Sequence, residues 1–351
     1  MNVLLANEIA RNPGYDVSLL SFYKTAAEPN FEIRPEISVS NVFGEIFSIK
    51  RHFFRVARGL RKALREINPD VLVCSMPGLS VFIEPFKKNM KTVYWLHQSF
   101  FFGRKFGLDW SGNRIAAKCG DAMVVLTREA LAEIRENFNA AARVEQIYNP
   151  YMMNPSPHVY DAGSKKIISC GRFTPQKGFD MLVDVAGKVF EKHSDWTWDI
   201  YGDGVLMEKI EAKIREKNLS DKVVLKGFLR KLEDEYKNYS FYVMTSRYEG
   251  FPLVLMEAMA QGLPCVAFDC KCGPKEIIVD GKNGFLIDCF DIGAMAEKIN
   301  LLIENNEMRT EFSHCASVVN PDFSKEIFFY KWNRLISELA QAKGGKTSTG
   351  V

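Results

Sequence analysis

Two carboxylates separated by seven residues head the list of side chains that could do chemistry. They lie in Ser246-Arg247-Tyr248-Glu249-Gly250-Phe251-Pro252-Leu253-Val254-Leu255-Met256-Glu257-Ala258, directly after the apolar run Phe241-Tyr242-Val243-Met244. The run predicts a strand, and the residues from Leu253 to Gln261 predict a short helix. Glu249 then falls in the strand-to-helix loop and Glu257 in the helix. Gly250 lets a ligand approach the backbone, and Pro252 suits the first helical turn, where a missing N–H costs nothing. The first amides of such a helix, those of Phe251, Leu253 and Val254, have no intrahelical acceptor and stand at the positive end of its dipole. They are suited to an anion such as a diphosphate. The two carboxylates could accept hydrogen bonds from sugar and ribose hydroxyls. Spacing alone fits equally an acidic first turn followed by an ordinary surface glutamate.

A second loop supplies cations. Gly171-Arg172-Phe173-Thr174-Pro175-Gln176-Lys177-Gly178 follows the strand predicted at Lys166-Ile167-Ile168-Ser169-Cys170 and precedes a predicted helix. Phe179, Leu182, Val183, Ala186, Val189 and Phe190 fall on one face of that helix. An arginine can grip a phosphate through two parallel hydrogen bonds and a lysine adds a point charge. Together they would stabilise charge growing on a departing diphosphate. By itself the loop could equally be solvated with stray charges.

These two segments resemble those of the retaining glycosyltransferases of family 4. Glu249 and Glu257 match the family's E-x7-E motif, and Arg172 and Lys177 match its R-x4-K diphosphate clamp residue for residue. The likeness runs through residues 166–290 and, more weakly, through most of the first half. It implies a GT-B fold, two doubly wound Rossmann-like α/β domains with an interdomain cleft, and a nucleotide-sugar donor bound by the second domain. By the same likeness Glu249, with Phe251, Pro252 and Leu253 beside it, would hold the donor sugar, and Glu257 the ribose. Gly171, Gly202 of Gly202-Asp203-Gly204, and Gly250 would line the donor site. The backbone at Gly227-Phe228-Leu229 would read the nucleobase, and Gly273 to Ile278 would lie near the sugar. His97, at a predicted strand end, matches a histidine that many members turn toward the sugar; a plain hydrogen-bonding histidine is the alternative. Asn149-Pro150 resembles the element that opens the family's linker. The implied activity is retaining transfer of a sugar, a UDP-sugar rather than GDP-mannose, to a glycan or lipid-linked acceptor in polysaccharide assembly. No Asp-x-Asp motif is present, so neither a metal nor a cofactor is expected. A GT-B sugar-nucleotide epimerase and a catalytically impaired donor-binding subunit are the rival readings.

The elements that must position these residues alternate apolar runs with helical periodicities, as βα units and parallel sheets require. In the first half, strands are predicted at Asp16 to Phe22, Val71 to Cys74, Lys91 to Leu96 and Ala122 to Leu126, with a helix from Ile49 to Ile67. A linker rich in Asn, Pro, Ser and Gly follows from Asn149 to Ser164. The expected organisation is an acceptor-binding domain over 1–155, a donor-binding domain over 156–322, a C-terminal helix over 323–340 returning to the first domain, and a disordered tail over 341–351. The family opens with a strand and a glycine-rich loop, whereas Asn2 to Ala10 already predicts the first helix. The first strand of the first domain is therefore expected to be missing; it is central in a doubly wound sheet, and its loss should expose apolar edges.

Composition narrows the partners. With 351 residues, 47% hydrophobic and 25% charged, the chain is long enough for two cores. A net charge of +3 is too small to imply nucleic acid. It is unevenly spread: residues 1–150 hold 20 Lys+Arg and 15 Asp+Glu, net +5, and the remainder nets −2. Eight scattered cysteines predict reduced thiols, and Cys270-Lys-Cys272 lacks the spacing and second ligand pair of a zinc site. No apolar stretch is long enough to span a bilayer and no signal peptide is evident, which predicts a cytoplasmic chain. Peripheral contact with an anionic membrane is suggested by Lys50, Arg51, Arg55, Arg58, Arg61, Lys62 and Arg65 on the helix ending at Ile67, and by Phe100 to Phe106. An ordinary basic helix face and a loop packed on its own domain are the alternatives.

Overall fold

Short apolar runs between amphipathic helices close into three parallel sheets. The structure is a computed structural model in which residues 1–24, 32–97, 107–152, 160–318 and 320–343 are described. The chain divides into two units, Met1–Asn149 with Glu326–Val351, and Pro150–Lys325.

In the first unit, α1 (Asn2–Ile9) leads to β1 (Ser18–Tyr23) and β2 (Ser38–Phe43). There follow α2 (Phe53–Ile67), β3 (Val71–Cys74), α3 (Ser80–Ile83), β4 (Lys91–Trp95), α4 (Leu108–Cys119), β5 (Ala122–Val125), α5 (Arg128–Asn137) and β6 (Arg143–Gln146). β1 pairs in parallel with β2, while β3-β4-β5-β6 form a separate parallel sheet. β1 and β3 thus belong to different sheets, and each is an edge.

The second unit holds β7 (Lys166–Cys170), α6 (Phe179–Phe190), β8 (Thr197–Tyr201), α7 (Met207–Glu216), β9 (Val223–Gly227) and β10 (Phe241–Met244). It continues through α8 (Leu253–Ala260), β11 (Cys265–Phe268), α9 (Pro274–Ile277), β12 (Gly284–Ile287), α10 (Ile292–Glu304) and α11 (Asn306–Ser317). All six strands are parallel, in the order β12-β11-β10-β7-β8-β9. This is the doubly wound arrangement, whose order reverses between β7 and β10; in sheets of this kind ligands bind outside the carboxyl ends of the strands at the reversal. The α6 face predicted from periodicity is buried throughout, against Trp198, Ile200, Phe241 and Val243. Trp198 Nε1 donates to Ser169 Oγ (3.0 Å), whose hydroxyl donates to the Val243 carbonyl (2.6 Å), so these two polar side chains are satisfied within the core.

A last helix, α12 (Lys325–Lys343), belongs almost wholly to the first unit, where Trp332 packs on Trp95 at 4.7 Å between ring centres. It runs past residue 340, so Gln341, Ala342 and Lys343 are helical rather than part of a disordered tail. Likewise α2 begins at Phe53 rather than Ile49. None of the helices, among the described residues, is long and apolar enough to cross a membrane.

Candidate active site

Glycines let three neighbouring strand ends approach one another. The Gly171 N–H donates to the Tyr201 carbonyl (3.0 Å) and the Gly202 N–H to the Gly227 carbonyl (2.9 Å). Gly202 has φ 139°, and a Cβ there would lie 1.9 Å from the Gly171 carbonyl oxygen, so only glycine fits. Gly171 in turn leaves room for the stem of Lys177, whose carbons would lie 3.1–3.2 Å from a Cβ at that position.

Lys177 is thereby laid across the end of β7 toward the loop after β10. Its Nζ donates to Glu249 Oε1 at 2.7 Å, with the two side chains only 17% and 7% exposed. Gln176 Nε2 donates to the Tyr248 carbonyl (3.1 Å) and to Glu249 Oε2 (3.4 Å), so both carboxylate oxygens are held from the same loop. Thr245 Oγ1 donates to the Gly178 carbonyl (3.1 Å), the Arg247 N–H to the Gln176 carbonyl (2.8 Å), and Arg247 grips Asp180 with two hydrogen bonds of 2.8 and 2.6 Å. These bonds lock the cationic and acidic loops into one body at the sheet's reversal point. The Glu249 N–H donates to the Lys271 carbonyl (3.3 Å), and Gly273, at φ 128°, lies so close to Pro252 that a Cβ would meet its Cδ at 2.4 Å. The third loop, after β11, thus braces the start of α8. Cys270 and Cys272 are buried in that brace.

Around this pair the remaining candidates fall into place by element. Arg172 is exposed and, among the described residues, makes no ion pair. Gly250 and Leu253 are half-buried and Pro252 is buried, at the amino end of α8; Phe251 is buried, its ring 5.5 Å from that of Phe323. Glu257 stands one helical repeat further along α8. Burial raises its carboxyl above the ordinary carboxylate range, and Glu233 pushes it the same way. The same carboxylate acts on a buried group beneath it, where Cys170 Sγ lies 3.7 Å from the hydroxyls of both Tyr236 and Tyr242. Burial pushes the Cys170 thiol up to about 11, so it is a packing group, not a nucleophile, at neutral pH. Phe228 and Leu229 stand out from the end of β9, 72% and 40% exposed.

His97 belongs to the other unit. It follows β4, with its ring 4.4 Å from that of Trp95. Burial, and then the Met1 amino group, lower its pKa to about 4, so the imidazole is neutral at pH 7. The residues from Phe100 to Phe106 lie outside the described residues. The sequence reading missed Gln176, Thr245 and the Asp180–Arg247 pair as positioning groups. They join residues about 70 positions apart, and nothing in local spacing marks such a pairing.

The chain can be set beside known proteins on this geometry. The family model Glycosyl transferases group 1 matches residues 154–317, and Glycosyltransferase Family 4 matches residues 2–151. An uncharacterized glycosyltransferase of Haemophilus influenzae is 29% identical over 341 residues, covering 96% of this chain and 95% of the relative. The amylovoran biosynthesis glycosyltransferase AmsD of Erwinia amylovora is 27% identical over 345 residues, covering 94% and 93%. Among solved structures, a TarM variant of S. aureus in complex with fondaparinux, alpha-GlcNAc-glycerol and UDP superposes with a TM-score of 0.73 at 28% identity. That match covers 80% of this chain and 58% of the TarM chain. The two models between them take in both Rossmann-like units, and the chain belongs to the family 4, group 1 glycosyltransferases of GT-B fold.

Proposed function

We propose that the protein transfers a hexose or N-acetylhexosamine from a UDP-sugar to a hydroxyl of a glycan or lipid-linked acceptor, with retention of anomeric configuration, in polysaccharide assembly. The observation that carries this reading is the Lys177–Glu249 pair, 2.7 Å apart at the reversal point of a doubly wound sheet and beside the amino end of α8. An ammonium has three donors, and one is used on Glu249. The other two, the exposed Arg172 guanidinium and the first amides of α8 suit the two phosphates of the donor. Glu249, fixed by Lys177 and Gln176, accepts hydrogen bonds from sugar hydroxyls. Glu257 accepts from the ribose, and the backbone at Gly227, Phe228 and Leu229 meets the base. As the glycosidic C–O bond to the diphosphate breaks, negative charge gathers on the leaving oxygen, and the same cations stabilise it. On the face of the sugar from which the diphosphate departs, the acceptor hydroxyl attacks and its proton passes to the leaving phosphate, giving retention without a covalent enzyme intermediate. The neutral His97 imidazole is available to accept a hydrogen bond from a hydroxyl on the acceptor side. Support for the nucleotide comes from TarM, solved with UDP, and for the setting from AmsD, named for amylovoran biosynthesis.

A panel of UDP- and GDP-sugars assayed for slow hydrolysis, then for transfer with product configuration read by NMR, tests the reading. Release of UDP from one sugar and a retained anomer in the product are expected. Lys177→Ala and Glu249→Ala should each cost about 10³-fold in rate, the scale seen when a transition-state charge loses its partner. An inverted product, or near-normal rates in either variant, would contradict it.

A further inference from the structure

Helix α2 takes no part in the donor site, and its two faces differ sharply. The inner face is closed: Val56 and Leu60 are buried, and a Cβ at Gly59 would meet the Phe43 ring at 2.5 Å, so the helix lies tight on β2. On the outer face Phe54, Arg58, Arg61 and Arg65 recur at i, i+4, i+7 and i+11, a stripe about 16 Å long down one side. All four are exposed, Phe54 by 84%. Arg58, Arg61 and Arg65 make no ion pair among the described residues. Glu45 and Glu66 are engaged elsewhere, Glu45 with Arg55 at 2.8 Å and Glu66 with Lys62 at 3.9 Å.

We propose that this stripe docks the first unit on an anionic bilayer, the three guanidiniums meeting lipid phosphates and Phe54 entering the headgroup region. Charge complementarity favours an anionic surface, since the three arginines carry no ion pair among the described residues; Arg61 lies over the Phe86 ring at 4.7 Å, which does not neutralise its charge. A bilayer fits better than a soluble polyanion because a phenyl ring stands almost fully in water at the amino end of the stripe, where an interface would take it up. The helix does not bury its own apolar face in lipid, because β2 and α3 already pack on that face, Phe53 lying 4.6 Å from the Phe82 ring. Attachment is therefore chiefly electrostatic and is screened by salt.

Co-sedimentation of the full chain with phosphatidylcholine vesicles, with and without phosphatidylglycerol, tests the proposal independently of the donor reading. Binding to the anionic vesicles at low salt, release at high salt and no binding to phosphatidylcholine alone are expected. The triple variant Arg58→Gln, Arg61→Gln, Arg65→Gln should partition about a hundredfold less, and Phe54→Ser several-fold less, with unchanged melting temperature and unchanged donor hydrolysis in solution. Salt-insensitive binding, or a triple variant that binds like the parent, would overturn the proposal. A Phe54→Ser variant that binds vesicles like the parent would overturn the placement of that ring in the headgroup region.

Discussion

Strands β3 and β7 are written in nearly the same language and end in different surroundings. Val71-Leu72-Val73-Cys74 and Ile167-Ile168-Ser169-Cys170 are both short apolar runs ending in cysteine. β7 is paired on both sides, with β8 and β10, and is buried from Ile167 onward. β3 is paired with β4 alone, and Val71, Leu72 and Val73 are only half-buried. The lesson is that an apolar run fixes a strand but not its place in the sheet: a central strand needs neighbours on both edges. In the second unit the centre of the sheet is complete, and the loops that carry Lys177 and Glu249 rise from it. In the first unit the order of strands is interrupted between β1 and β3.

The sharpest test of that contrast is amide exchange. Local openings span the range from nearly zero to the full stability of a domain. Amides of β7 should therefore exchange about a thousandfold more slowly than those of β3 that point away from β4. Equal protection would show that β3 is covered as well as β7 and would break the comparison. A smaller effect is expected from glycine substitution. Gly202→Ala forces a Cβ to within 1.9 Å of the Gly171 carbonyl at φ 139°, and should destabilise the second unit by about 2–4 kcal/mol, read as a lower melting temperature. Gly44→Ala in the first unit has no atom within 4 Å of the new Cβ and should change stability by less than about 0.5 kcal/mol. A harmless Gly202→Ala would mean that the three strand ends are not as tightly joined as their hydrogen bonds indicate.

Much of the fold was legible because it is written in local patterns. The α6 face followed from 3.6-residue periodicity, α8 from Pro252 at its start and Gly262, at φ 78°, past its end, and α1 from its unbroken run after Met1. The latch around the site was not legible: Arg247 reaches Asp180, and Gln176 reaches Glu249, across three-dimensional proximity that no spacing encodes. Gly273 on Pro252 is of the same kind. The exposed stripe of α2 was visible as a run of cations, but that its apolar side is spent on β2 and α3 emerges only from packing.

The central claim is that Lys177, at the reversal point of the complete sheet, holds a diphosphate. Calorimetric titration of the parent and Lys177→Gln with UDP and with UMP tests it most directly. The parent should bind UDP more tightly than UMP, and the substitution should weaken UDP by about 10–100-fold, the loss of one charge-assisted hydrogen bond, while leaving UMP within about threefold. Equal loss for both nucleotides, or none for UDP, would contradict it.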